Sequence, residues 1–238
     1  MTLRLTLSAN WIARAASAAI LLLGALSLAT HPLGLEVFQL DAEANVPTWF
    51  SSLLLMLCSV PLAVIGQAKR EERAPHARFW SVLAVLFLYL SLDELAQLHD
   101  KLNLHLQSVF HPSGYLAFPW VLPAAIAVTG VAIASVPWLR TLPDWVRARF
   151  LLSAVLYVGG ALGVETISAG YASVHGMESW GYTLLSHLEE LLEMSGAAFF
   201  LTTLVRYAGA MQVEVRLEVA AEQKEVPFLV KQEVPAAA

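Results

Sequence analysis

The chain has 238 residues, 58% of them hydrophobic and only 14% charged, with a formal net charge of −5. Soluble domains carry about 25% charged residues, so this sequence lacks the material for a water-facing skin. That excludes a soluble globular domain, a disordered chain and, given the acidic balance, a nucleic-acid binder. The single cysteine, Cys58, excludes an intrachain disulfide, a cysteine-based zinc site and an iron–sulfur cluster.

A helix needs ~20 apolar residues to cross ~30 Å of hydrocarbon. The first stretch that meets this need is Ala15–Leu35. It follows Arg4 and Arg14 and contains the small-residue run Ser27-Leu28-Ala29. The same features fit a signal peptide, which would leave five helices and an outside N-terminus. Next come Pro47–Gly66, with Pro61 inside it, and Phe79–His99, which carries Asp93 and Glu94. The fourth is Val121–Leu139, with Pro123 near its start. The fifth, Phe150–Gly170, carries Glu165 just after Gly159, Gly160 and Gly163; the GxxxG step predicts a close helix neighbour there. The sixth, Tyr182–Val205, carries His187, Glu189, Glu190 and Glu193. Such long apolar runs form helices, because lipid cannot satisfy open backbone groups. The expected fold is an all-α integral membrane bundle of six transmembrane helices over residues 1–206, with 207–238 a mobile cytoplasmic tail.

Two patterns support this map. With the N-terminus inside, every lysine and arginine except Lys101 falls on the inner side, so both termini read as cytoplasmic. The seven tryptophans, Trp11, Trp49, Trp80, Trp120, Trp138, Trp145 and Trp180, all fall near span boundaries, as an aromatic belt requires.

The informative residues are the acids within the spans. Asp93 lies fifteen residues from Arg78, Glu165 sixteen from Arg149, and Glu190 sixteen from Arg206. At 1.5 Å per residue each sits ~22–24 Å above the basic boundary, which is one level in the outer third of the bilayer. An intramembrane carboxylate costs up to ~2.5–3.5 kcal/mol, and no lysine or arginine lies within these helices at that depth. Protonation, a water-filled cavity or a bound cation must compensate. On helix six, Glu189, Glu190 and Glu193 share an arc of about 100°, flanked by His187. On helix three, Asp93, Gln97 and Asp100 form one stripe. His99 lies off that stripe and reaches it only if the helix unwinds. Asp100 itself reads as an interfacial residue paired with Lys101 or water. His31 and Glu36 read as helix-end residues, and His105 and His111 as loop residues.

Carboxylate oxygens mixed with imidazole suit Mn, Fe, Zn or Ca. The expected ligand set is Asp93, Glu94, Glu165, His187, Glu189, Glu190 and Glu193, around a divalent metal ion that could act on a lipid-like substrate arriving from the bilayer. Proton or cation translocation is the competing reading, and a non-enzymatic assembly subunit is a third. A bis-histidine haem between His99 and His187 would not account for the acids.

The segments Ser91-Leu92-Asp93-Glu94, continuing to His99 and Asp100, and Glu189-Glu190-Leu191-Leu192-Glu193-Met194-Ser195-Gly196 resemble patterns in an uncharacterised family of bacterial multi-pass membrane proteins. The resemblance covers about a tenth of the chain. It implies the inner (plasma) membrane and carries no reaction with it. The paired histidines of alkaline-ceramidase-type zinc hydrolases are absent.

Overall fold

The computed structural model describes residues 8–212. All of its regular structure there is helical. Helix α1 spans Ala9–Thr30, α2 Val46–Glu71, α3 Ala77–Ala96, α4 Leu98–Phe110, α5 Val121–Leu139, α6 Asp144–Val158, α7 Glu165–His175 and α8 Trp180–Ala210. A π-helical turn, Gly159–Val164, joins α6 to α7 into one continuous rod. Five stretches are long and apolar enough to cross a membrane: Ala9–Leu33, Val46–Glu71, Ala77–Ala96, Val121–Leu139 and Asp144–His175. The residues from 213 onward, which hold nearly all of the expected tail, lie outside the described residues.

The helices begin where their caps dictate. The Ser8 hydroxyl accepts from Trp11 N–H, Asn45 Oδ1 from Thr48 N–H at 3.1 Å, and the Ser179 hydroxyl from Tyr182 N–H. Each supplies an acceptor to an otherwise orphaned donor. Pro47 follows Asn45 in the first turn, where its missing N–H costs nothing.

Helix α8 is the centre of the bundle, packed by α1, α2, α6 and α7. Its buried residues run from Thr183 to Tyr207. Small residues permit the close approaches. A Cβ on Gly24 of α1 would stand 3.3 Å from Leu191, and one on Gly196 2.7 Å from the Tyr157 backbone nitrogen. Hydroxyls link the helices as well. Ser52 of α2 and Ser91 of α3 each donate to the other's backbone carbonyl, at 2.8 and 2.9 Å.

The tryptophans divide three ways. Trp11, Trp49, Trp145 and Trp180 are exposed, as a belt requires. Trp80 and Trp138 are buried instead, at 2% and 3% exposure, in a cluster with Phe150 and Tyr207. Their proximity to span ends reflects core packing at the basic end of the bundle. Trp120 belongs to the acidic site.

The third helix departs from its expected length. It stops at Ala96, because Gln97 adopts a left-handed conformation with φ 55° and ψ 46°. The chain turns there and restarts as α4, which places His99 and Asp100 on a new axis.

Candidate metal centre

The break at Gln97 brings His99 back to Asp93. One carboxylate oxygen of Asp93 accepts the His99 backbone N–H at 3.0 Å, and the other lies 3.1 Å from ring Nδ1. A carboxylate only accepts, so Nδ1 carries the proton and donates it. The ring is thereby oriented with Nε2 pointing away from Asp93. Nε2 lies 3.8 Å from Asp100 Oδ1. Glu43, from the α1–α2 connection, completes the group: one ligand atom each from Glu43, His99 and Asp100 lies within 4.8 Å of the others. Among the described residues this is the one group of three acids or histidines so close together.

Burial alone would lower the His99 pKa. The hydrogen bond to Asp93 and the charges of Asp100, Asp93 and Glu43 outweigh it and raise the ring to about 9. The site therefore prefers a positive charge at Nε2, whether proton or metal.

A second acidic group lies deeper. Glu94 of α3 and Glu190 and Glu193 of α8 are electrostatic neighbours, with the Ser51 side chain facing Glu94 and Tyr157 among them. Glu165 of α7 faces Glu189 of α8. Indole Nε1–H of Trp120 donates to Glu165 Oε1 at 3.0 Å, while the same ring lies 4.9 Å from the His99 ring, centroid to centroid. Trp120 thus bridges the two groups.

The expected close approach in the fifth span is present, but at one glycine. A Cβ on Gly160 would stand 2.8 Å from the Glu189 carbonyl and 3.0 Å from Glu193 Cγ, whereas Gly159 and Gly163 face open space. The π-helical turn supplies this. Gly160 is the buried residue of that turn, and such bulges recur at functional sites.

The expected ligands are thus distributed unevenly. Glu94, Glu190 and Glu193 come together, Glu165 and Glu189 pair, and Asp93 orients His99. His187 stands apart: its Nε2 is 2.8 Å from the Ser27 hydroxyl and its Nδ1 2.7 Å from the Thr183 carbonyl, so both ring nitrogens are engaged in the buried core. Asp100 does not pair with Lys101, whose ammonium donates to the Ala96 carbonyl. Glu43, His99 and Asp100 were not among the expected ligands. Glu43 lies in an irregular loop with no periodicity to mark it, and His99 depends on the unwinding at Gln97.

The family described as a domain of unknown function, DUF8692, matches residues 12–207. The chain belongs to DUF8692. The match covers every residue of the acidic site. No curated protein and no solved structure matches the chain. The DUF8692 description carries no reaction, so the chemistry rests on the side chains.

Proposed function

We propose that this DUF8692 protein crosses the bacterial inner membrane six times, with both termini in the cytoplasm. At its outer end it holds a divalent metal ion used on a lipid-like substrate. Helix α8 would be the sixth span. Its 31 residues reach ~46 Å, and it is enclosed by helices of membrane length. Its acids, Glu189, Glu190 and Glu193, lower its mean hydropathy.

One observation carries the metal reading: His99 Nε2 lies 3.8 Å from Asp100 Oδ1, with Glu43 in the same group, while Nδ1 is held by Asp93. A ligating imidazole whose other nitrogen donates to a carboxylate is the usual arrangement at protein metal sites. One nitrogen and two oxygen donors suit Zn, Mn or Fe. Bonds of ~2.0–2.2 Å would draw the three ligand atoms slightly closer. The ion would activate a water or polarise a substrate oxygen. Access from the bilayer is supported by Leu92 and Leu95, which flank Asp93 and Glu94 and are 56% and 55% exposed.

Zinc and manganese titrated into chelator-stripped protein, followed by calorimetry and elemental analysis, test the proposal. About one ion per chain, lost in His99→Ala and Asp100→Asn, is the expected result. Binding unchanged by both substitutions would remove the site.

A second reading has its own observation. The acids form a connected series from Glu43 at the rim through Glu94 to Glu190 and Glu193 inside, which suits a proton or cation path. Proton flux into liposomes, abolished by Glu190→Gln, would favour it. Loss of a partner complex, without flux or metal binding, would favour an assembly subunit.

A further inference from the structure

At the opposite end of the bundle, the α2–α3 turn forms an open cleft lined by Arg70, Arg73, His76, Arg78, Phe79 and Val82. Three features coincide there. The first is charge: all three arginines are exposed, and none pairs with an acid among the described residues. The neighbouring acids are engaged elsewhere, Glu72 with Lys69 at 2.8 Å and Glu71 with Gln67 at 2.9 Å. Arg70 is fixed in direction, since its guanidinium donates to the Ser81 hydroxyl at 2.7 Å. The second is backbone geometry. Arg73 and His76 both hold left-handed conformations, φ 52° and 57°, and α3 begins at Ala77 with no side chain capping its N-terminus. The Ala77 and Phe79 amides donate to the Ala74 and His76 carbonyls at 3.4 and 2.9 Å, so the helix start offers the cleft chiefly its positive dipole end. The third is the apolar flank. Phe79 is half-buried, and Val82 and Val85 above it are 57% and 66% exposed.

From this combination we propose that the cleft binds the phosphate of an anionic phospholipid, with the acyl chains lying along Val82 and Val85. Arginine forks match phosphate oxygens in pairs, and the positive end of the α3 dipole adds to their attraction. The apolar flank is what selects a lipid over a free phosphate ion, which would have no use for it. The inference rests on the reading of the chain as a membrane protein. Its readout is headgroup choice at one end of the bundle, which the metal site at the other end does not affect.

Native mass spectrometry of the full chain, released from detergent with equimolar phosphatidylglycerol and phosphatidylcholine, tests it. The wild type is expected to retain phosphatidylglycerol at least fivefold over phosphatidylcholine. Arg73→Gln/Arg78→Gln should bring the ratio close to one, and Arg140→Gln/Arg147→Gln, on the other basic turn, should leave it unchanged. Thermal unfolding and helix content by circular dichroism confirm that each variant is folded. Equal retention of the two lipids by the wild type overturns the proposal, as does equal loss in both double variants. Displacement of the lipid by millimolar inorganic phosphate would assign the cleft to the free ion and overturn the lipid assignment.

Discussion

Asp93 holds His99 by two bonds at once, accepting the backbone N–H at 3.0 Å and ring Nδ1 at 3.1 Å. The first bond satisfies an orphan donor at the start of α4. The second sets the tautomer that leaves Nε2 towards Asp100. One carboxylate thereby couples the helix break to the ligand geometry. Asp93→Asn keeps an oxygen for the backbone amide but loses the anionic partner of the ring. Metal affinity is expected to fall ~10–100-fold, the usual cost of losing a ligand's carboxylate partner, while His99→Ala loses binding altogether. Parallel calorimetric titrations check both. An unchanged affinity in Asp93→Asn would mean that His99 is not a ligand.

The proton on His99 gives an independent reading of the same geometry. In metal-free protein its titration midpoint is expected near 9, against an ordinary 6.5. A raised folded pKa fixes the sign. The stabilisation from His99 is fully present below pH 6.5 and is lost as pH rises through about 9. Isotope-detected NMR of the ring in chelator-stripped protein follows this directly. Asp93→Asn should move the midpoint down, and added zinc should remove the transition by taking the place of the Nε2 proton. A midpoint at or below 6.5 in the wild type contradicts the arrangement.

Much of this was legible in the sequence, for reasons that are local. Long apolar runs report membrane-length helices because hydrocarbon thickness sets their length. Acids inside such runs stand out because they are costly there, and Glu94, Glu190 and Glu193 do come together. The less legible features depend on tertiary geometry. Gln97 enters a left-handed conformation that its residue type does not demand, and only then do His99 and Asp93, six residues apart, meet. Glu43 reaches the site through a loop that obeys no period. Trp80 and Trp138 occupy boundary positions in the chain, and only packing distinguishes a buried indole from a belt indole.

The glycines on the fifth span make a sharp contrast. A methyl on Gly160 would meet the Glu189 carbonyl at 2.8 Å and Glu193 Cγ at 3.0 Å, while one on Gly159 meets nothing within 4 Å. Gly160→Ala must push the π-helical turn off α8, at a cost of ~1–3 kcal/mol for overpacking. Gly159→Ala is expected to be neutral or slightly stabilising, because it lowers backbone freedom without a clash. Thermal unfolding in detergent separates the two. Equal effects would show that this turn does not contact α8 through Gly160.

His187 tests whether proximity to the acids in sequence implies a share in their chemistry. Both of its nitrogens are occupied, Nδ1 by the Thr183 carbonyl and Nε2 by the Ser27 hydroxyl, which also accepts the Leu40 N–H at 2.9 Å. The ring therefore ties α8 to α1 and to the loop that carries Glu43. Replacing it leaves the fully buried Ser27 hydroxyl only the longer bond to Gln39 Oε1, at 3.4 Å, as a donor, at a cost of ~1 kcal/mol for the lost hydrogen bond. His187→Leu is expected to lower the unfolding temperature while changing zinc affinity less than threefold, because the Glu43 loop retains its Asn45 bonds to the Gln39 and Ala42 carbonyls. A loss of affinity beyond tenfold, at temperatures where the variant is still folded, would instead make His187 a ligand, and the Ser27 bond would have to break when the metal arrives.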